Sequence, residues 1–278
     1  VTPSAYRDPP PHDDAPRVTL NGARPGIDAL ALVAVSNEGH FTSMIVDDGR
    51  VRGLDRHLER LRSATRELFD TDLDESRVRK WMRDVIAARH GRWRLRIAVV
   101  SRAPLRERDT TADFDVMMTI AEARVADSLP MRLATFRYER PLPRVKHVGT
   151  FGQLHYRRLA QRAGYDDALF VDGGDALSEA SIWNIGFVDG ERIVWPDAPA
   201  LEGVSMQLLR EAMRRSGIDD VVRRVDRDAL RDFRAAFVTN ASCPVRAVCG
   251  IDDITFGVDD GLMERLRTLH DAHALVAI

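Results

Sequence analysis

A proline-spaced stretch, Glu139-Arg140-Pro141-Leu142-Pro143, splits this chain into two halves that each mix strand-like and helix-like patterns. Two prolines so close together hold the backbone extended and remove two amide donors, so neither a helix nor a central strand runs through them. Such punctuation predicts two α/β units joined by a short connector. A length of 278 residues is enough to bury a full core, either as one large domain or as two.

In the first half, residues 30–52 read as strand, with a hairpin turn at Asp47-Asp48-Gly49. Asp55 is expected to cap a helix that carries Leu58, Leu61, Thr65 and Leu68 on one face. A second helix is expected over about 75–88, then strands over 94–101, 114–120 and 131–138. The second half predicts a helix near 154–163 stopped by Gly164, a strand at 168–172 and a hairpin of 182–188 with 192–195. A helix over 206–215, strands near 236–239 and 246–249 and a helix from about 262 follow. The expected division is a proline-rich tail over 1–17, a small unit over 18–138, a connector over 139–145 and a larger unit over 146–278.

Charge excludes several function classes. The net charge is −2 with signs interleaved throughout, so no basic stripe addresses nucleic acid. No segment reaches the roughly 20 apolar residues of a membrane span. The two cysteines, Cys243 and Cys249, form no secreted disulfide framework and match no zinc spacing, so the expected compartment is the cytoplasm and no metal is expected.

The basic residues are lopsided. Only Lys80 and Lys146 are lysines; the other 39 of the 41 are arginines. Arginine cannot form an imine with an aldehyde, because guanidinium stays protonated. Lys80 belongs to an amphipathic helical run, whereas Lys146, in Pro143-Arg144-Val145-Lys146-His147, has no helical role. Taken alone, this leaves a chance surface lysine open.

Three more pieces fit together with Lys146 around a phosphorylated aldehyde cofactor. Glu179, in Leu177-Ser178-Glu179-Ala180, is an acid at a strand end, able to keep a pyridine nitrogen protonated. Leu201-Glu202-Gly203-Val204-Ser205 leads into a helix whose first amides suit a phosphate. Arg60, in His57-Leu58-Glu59-Arg60-Leu61, offers a guanidinium to the same dianion.

In order and spacing, these pieces resemble the class IV, fold-type-IV pyridoxal-phosphate enzymes. That family includes branched-chain and D-amino-acid aminotransferases and aminodeoxychorismate lyase. Val145-Lys146-His147, Gly164-Tyr165-Asp166-Asp167-Ala168-Leu169 and Asn184-Ile185 extend the match, which runs from about Leu20 to Ile251. The resemblance implies a two-domain, D-amino-acid-aminotransferase-like α/β fold with pyridoxal 5'-phosphate in the interdomain cleft. It also implies a homodimer acting on small amino and keto acids. Lys146 is then the Schiff-base lysine and proton shuttle, and Glu179 the partner of the pyridine nitrogen. Arg60, Val204, Ser205, Asn240, Ala241 and Ser242 are then phosphate contacts. Arg96 is the first candidate for a substrate carboxylate, with Arg94 beside it. Arg137, Tyr138 and Arg140 are placed at the mouth, and His40 and His147 are candidate proton carriers or substrate contacts.

The chain also departs from the family pattern. It reads Gly39-His40-Phe41-Thr42, with Thr42 where many aminotransferases carry Glu. Thr42, taken as a catalytic candidate, and the Lys146-His147 pair are similar to the lyase branch. Gly149, Met206 and Ala241 replace polar residues common in the family. The expected function is an aminotransferase working through a Lys146 Schiff base. Pyruvate elimination of the aminodeoxychorismate-lyase type is the alternative, and a non-catalytic pyridoxal-phosphate-binding relative the third reading.

Overall fold

The computed structural model describes residues 17–102, 113–124 and 129–278; the expected tail, apart from Arg17, lies outside them. In chain order the elements begin with β1 (Val18–Leu20), α1 (Ile27–Val35), β2 (Gly39–Asp47), β3 (Arg50–Arg52), α2 (Leu54–Phe69) and α3 (Glu75–Ile86). Next come β4 (Arg92–Ser101), β5 (Phe114–Glu122), β6 (Met131–Arg137), α4 (Phe151–Arg162), β7 (Asp167–Val171) and β8 (Leu177–Ala180). Then follow β9 (Trp183–Asp189), β10 (Arg192–Pro196), α5 (Val204–Arg215), β11 (Asp220–Arg223) and, after a 3-10 turn, β12 (Ala235–Thr239). The chain closes with β13 (Arg246–Ile251), β14 (Ile254–Thr255), α6 (Asp260–Asp271) and β15 (Leu275–Ala277).

The first sheet is antiparallel, ordered β1-β5-β4-β2-β3-β15. Residues two apart on a strand share a face, and the face bearing Met44, Val46, Leu95 and Ile97 is covered by α2 and α3. In α2, Leu54, Leu58, Leu61 and Thr65 recur every three to four residues and are all buried. In α3, Val78, Met82 and Val85 do the same, and Asp74 caps the helix by accepting from the Arg77 amide at 3.0 Å. The opposite face carries Phe41, Ala98 and Val100, with Val33 of α1 packed against them.

The second sheet is mixed, ordered β11-β10-β9-β12-β13-β6-β7-β8, with β14 on β13. Strands β6 and β7 run parallel, and α4 is the crossover between them, as parallel neighbours require. One core is built from Leu133, Leu169, Ile185 and Phe187. A second joins Trp195 and Phe237 to α5 and α6 through Leu209, Met213 and Leu266.

Three expectations shift. Residues 30–35, expected as strand, belong to helix α1: the Ala-Leu-Ala-Leu run has strong helix propensity, and a stretch apolar on every side fits either period. None of its residues is buried. The cap of α2 is Gly53 in the left-handed region, with Asp55 in the first turn. Strand β6, expected with the first half, pairs with β13 and β7 and so belongs to the second sheet. At the other end, β15 returns to the first sheet against β3.

Candidate active site

The connector delivers Lys146 to the edge of β2. The Phe41 amide donates to the Lys146 carbonyl at 2.8 Å, and the Val148 amide to the Gly39 carbonyl at 2.9 Å. Gly39 is needed for the pairing of β2 with β4: its φ is +148°, and a Cβ there would lie 2.3 Å from the Val99 carbonyl oxygen on β4. The lysine is thereby fixed on the first sheet while its neighbours along the chain belong to the second.

The Lys146 side chain has no hydrogen-bonding or ion-pair partner among the described residues. Its Nζ lies 5.0 Å from the centre of the Phe41 ring. The Arg96 guanidinium covers the same ring at 3.5 Å, on the sheet face that also holds Arg94. Burial lowers the Lys146 pKa from 10.5 to about 7, helped by Arg60 and Arg140 and opposed by Glu179. Arg60 is shifted to about 10 by burial and then by Arg140. Arg96 is also lowered, by burial and then by Arg94. Neither Arg60 nor Arg96 meets a carboxylate among the described residues; Arg60 only donates to the Glu202 carbonyl, at 3.3 Å. A cluster of partly desolvated cations without counter-anions is built for an anion that arrives from outside.

Glu179 is buried on β8. Arg140 Nη1 donates to its Oε1 at 3.1 Å, and Arg140 Nη2 to the Val145 carbonyl at 2.7 Å. Burial raises the Glu179 pKa, while Arg140, Lys146 and the Leu201 amide hold the rise back. Arg140 is itself buried. It is therefore no mouth residue but the counter-charge that keeps an acid inside the protein. Removing one partner of such a pair costs about 3–5 kcal/mol.

Opposite Glu179 across the hairpin stands Asn184. Its Nδ2 donates to the Leu201 carbonyl at 2.6 Å, and its Oδ1 accepts from the Gly203 amide at 3.1 Å. These two bonds aim the 201–203 segment, and α5 begins at Val204 with no side-chain cap on its amides. A free helix N-terminus carries about half a positive charge. Beside it, Ser205 Oγ donates to the Asn240 carbonyl at 2.9 Å. Asn240 Oδ1 in turn accepts from the Ser242 and Cys243 amides at 2.9 and 2.8 Å. The Ser242 amide is thus already used, leaving the Ala241 amide and the Ser242 hydroxyl as this turn's donors.

Other expected residues stand apart. His40 is buried and bonded through Nε2 to Thr65 Oγ1 at 3.0 Å, its pKa lowered to about 4 by burial. It belongs to the packing of β2 on α2 and has no opening toward a substrate. Thr42 shares that face, and its hydroxyl is committed to His57 Nδ1 at 2.7 Å. Arg137 is exposed and bonds Asp175 at 2.7 Å and the Gly173 carbonyl, so its guanidinium is occupied at a surface turn. His147 is half-buried and folds against Gly149, with a pKa lowered by burial and by Arg140. A cavity of about 1070 Å³ opens between α2, the connector and the loop before α5; Arg60, Val145 and Asn184 line it, while Lys146 and Glu179 do not.

The family model "Amino-transferase class IV" matches residues 39–251. The chain belongs to that family. A probable branched-chain-amino-acid aminotransferase of Rickettsia bellii is 27% identical over 42% of this chain, and the match spans only 43% of that relative's length. A bifunctional aminodeoxychorismate lyase / D-amino acid transaminase of Mycobacterium tuberculosis is 28% identical over 73% of this chain and 79% of its own. Among solved structures, a hypothetical aminotransferase from Mycobacterium tuberculosis in a PLP-bound form superposes with a TM-score of 0.79. It is 20% identical over 92% of this chain and 98% of that one, a likeness of fold. Within the class IV aminotransferases, then, the two-sheet fold is the expected one.

The sequence alone points to Lys146, Glu179, Arg60, Arg96, Val204 and Ser205, which the fold gathers between the two sheets. It does not point to Phe41, Asn184 and His57 as contributors, and it puts Arg140 in the wrong position. His57 is signalled by standing three residues before Arg60, on the same face of one helix. Nothing local marks Asn184 or Arg140, whose partners lie 17 and 39 residues away.

Proposed function

We propose that this class IV aminotransferase moves an amino group between an amino acid or amine and a 2-keto acid, using pyridoxal 5'-phosphate held by Lys146. The observation that carries the reading is Lys146 itself: an unpaired amine with a pKa near 7, set among Arg60, Arg96, Arg140 and Glu179. The donor set fits the cofactor group by group. The amine suits an aldehyde, the Glu179 carboxylate a ring nitrogen, and Arg60 with the uncapped α5 N-terminus a phosphate.

Bound there, pyridoxal 5'-phosphate supplies the electron sink for breaking a bond at the amino-bearing carbon. The protein supplies the rest. Lys146 Nζ, its pKa lowered to about 7 by burial, would take and return the proton. Glu179, paired with Arg140 at 3.1 Å, would be the residue to hold the ring nitrogen. Arg96, on Phe41, receives the substrate carboxylate. The exposed apolar side chains of α1 (Ile27, Leu32 and Val35) support a homodimer, and the cysteine usage supports a cytoplasmic setting. No helix among the described residues is long and apolar enough to cross a membrane.

Pyruvate elimination from aminodeoxychorismate is the second reading, favoured by the relative aligned over 73% of this chain, which is named for both activities. The test is a single-turnover absorbance scan of the cofactor-loaded protein against L- and D-amino acids and amines, with no keto acid present. Bleaching of the lysine-bound cofactor by some donor is the expected result. No bleaching with any donor, together with pyruvate release from aminodeoxychorismate, establishes the lyase instead.

A further inference from the structure

His57 is 2% exposed, and its ring is used on one side only. Thr42 Oγ1 lies 2.7 Å from Nδ1, and the Thr42 hydroxyl has no other acceptor among the described residues. A buried hydroxyl gives its proton to the one acceptor it has. The Thr42 O–H therefore donates to Nδ1, and the ring proton must sit on Nε2. Burial, Arg60 and Lys146 all lower the pKa of His57, so the ring is neutral and carries that single proton.

Nε2–H has no hydrogen-bonding partner among the described residues. His57 lines a cavity of about 100 Å³ whose other walls include Val204 and Ser205 at the start of α5 and the Ala241-Ser242 turn. The carboxylates lining this space, Asp47 and Asp271, each face an arginine: Arg92 at 3.9 Å and Arg52 at 3.5 Å. The uncapped start of α5 and the buried His57 ring thus line one small cavity.

We propose that His57 donates its Nε2–H to the cofactor's phosphate, and that Thr42 acts as the positioning residue that fixes this tautomer. The proposal rests on the pyridoxal-phosphate reading above. It gives Thr42, where many relatives carry an acid, a definite role, because a carboxylate would draw the proton to Nδ1 and present a bare Nε2 to the anion.

Two measurements test it. Imidazole ¹⁵N NMR of the wild-type apoprotein should show His57 protonated at Nε2, with that resonance moving on addition of inorganic phosphate or pyridoxal 5'-phosphate. Thr42→Ser should keep the tautomer and Thr42→Val should lose it. A proton on Nδ1, or a resonance unmoved at saturation, overturns the proposal without any variant having to fold. Second, His57→Leu should weaken binding of pyridoxal 5'-phosphate about tenfold or more, the value of a charge-assisted hydrogen bond, while leaving pyridoxal, which lacks the phosphate, unchanged. Equal weakening of both means a packing role and overturns the proposal. Wild-type protein that binds neither form, or binds them equally with Lys146 replaced by alanine, overturns the cofactor reading as well. Lys146-dependent binding that is indifferent to His57 overturns this proposal alone.

Discussion

Lys146 and Arg60 are both desolvated in the site, and their titration reports it. For Lys146, the pKa is about 7 in the fold against 10.5 ordinarily, so between those values the unfolded chain binds more protons than the folded one. Linkage then makes stability rise with pH across that window, and the penalty of the buried ammonium stands in full below about pH 7. We predict that the stability of the apoprotein relative to Lys146→Met climbs from pH 7 toward pH 10. In step, the association rate with pyridoxal 5'-phosphate should rise through about pH 7 and level off. Denaturant titrations and stopped-flow absorbance check the two; a difference flat across pH 7–10 would mean that the lysine is not desolvated. Lys146 as the candidate for the chemistry was legible in a chain with only one other lysine. The value of its pKa was not, because it depends on arginines that are distant in sequence.

At the scale of elements, the site hangs on the segment between β10 and α5. Asn184 holds it from the neighbouring strand by two hydrogen bonds, and Gly203 permits the approach. A Cβ on Gly203 would lie 2.1 Å from Asn184 Oδ1, closer than any real contact. Gly203→Ala should therefore push Asn184 away, turn the first amides of α5 and destabilise the fold by about 1–3 kcal/mol. Cofactor affinity should fall at least tenfold, measured by fluorescence titration beside a thermal melt. Unchanged affinity would show that the start of α5 is not part of the cup. Periodicity found α2, α3 and α5, because their apolar spacing is one-sided. It failed at α1, where apolar residues on every side erase the period.

For the whole molecule, α1 is the anomaly. Nine residues with no buried side chain, with Ile27 83%, Leu32 63% and Val35 69% exposed, leave an apolar helix in water. Covering it in a homodimer removes that cost at roughly 25 cal/mol per Å². We predict that Leu32→Asp with Val35→Asp converts a dimer to a monomer in sedimentation velocity; wild-type protein that is already monomeric at micromolar concentration refutes the interface. By itself, the sequence determined which groups are on offer: one available lysine, an acid at a strand end, a glycine-led helix start and an arginine three residues beyond a histidine are local choices readable without a fold. The tertiary structure alone decided how those groups are tuned and which neighbours serve them. Arg140 at Glu179, Arg96 on Phe41 and His57 on Thr42 are pairings of residues 15 to 55 positions apart. Only tertiary packing, strand on strand, helix on sheet and connector on strand, sets such distances, and with them the desolvation that gives each charge its strength.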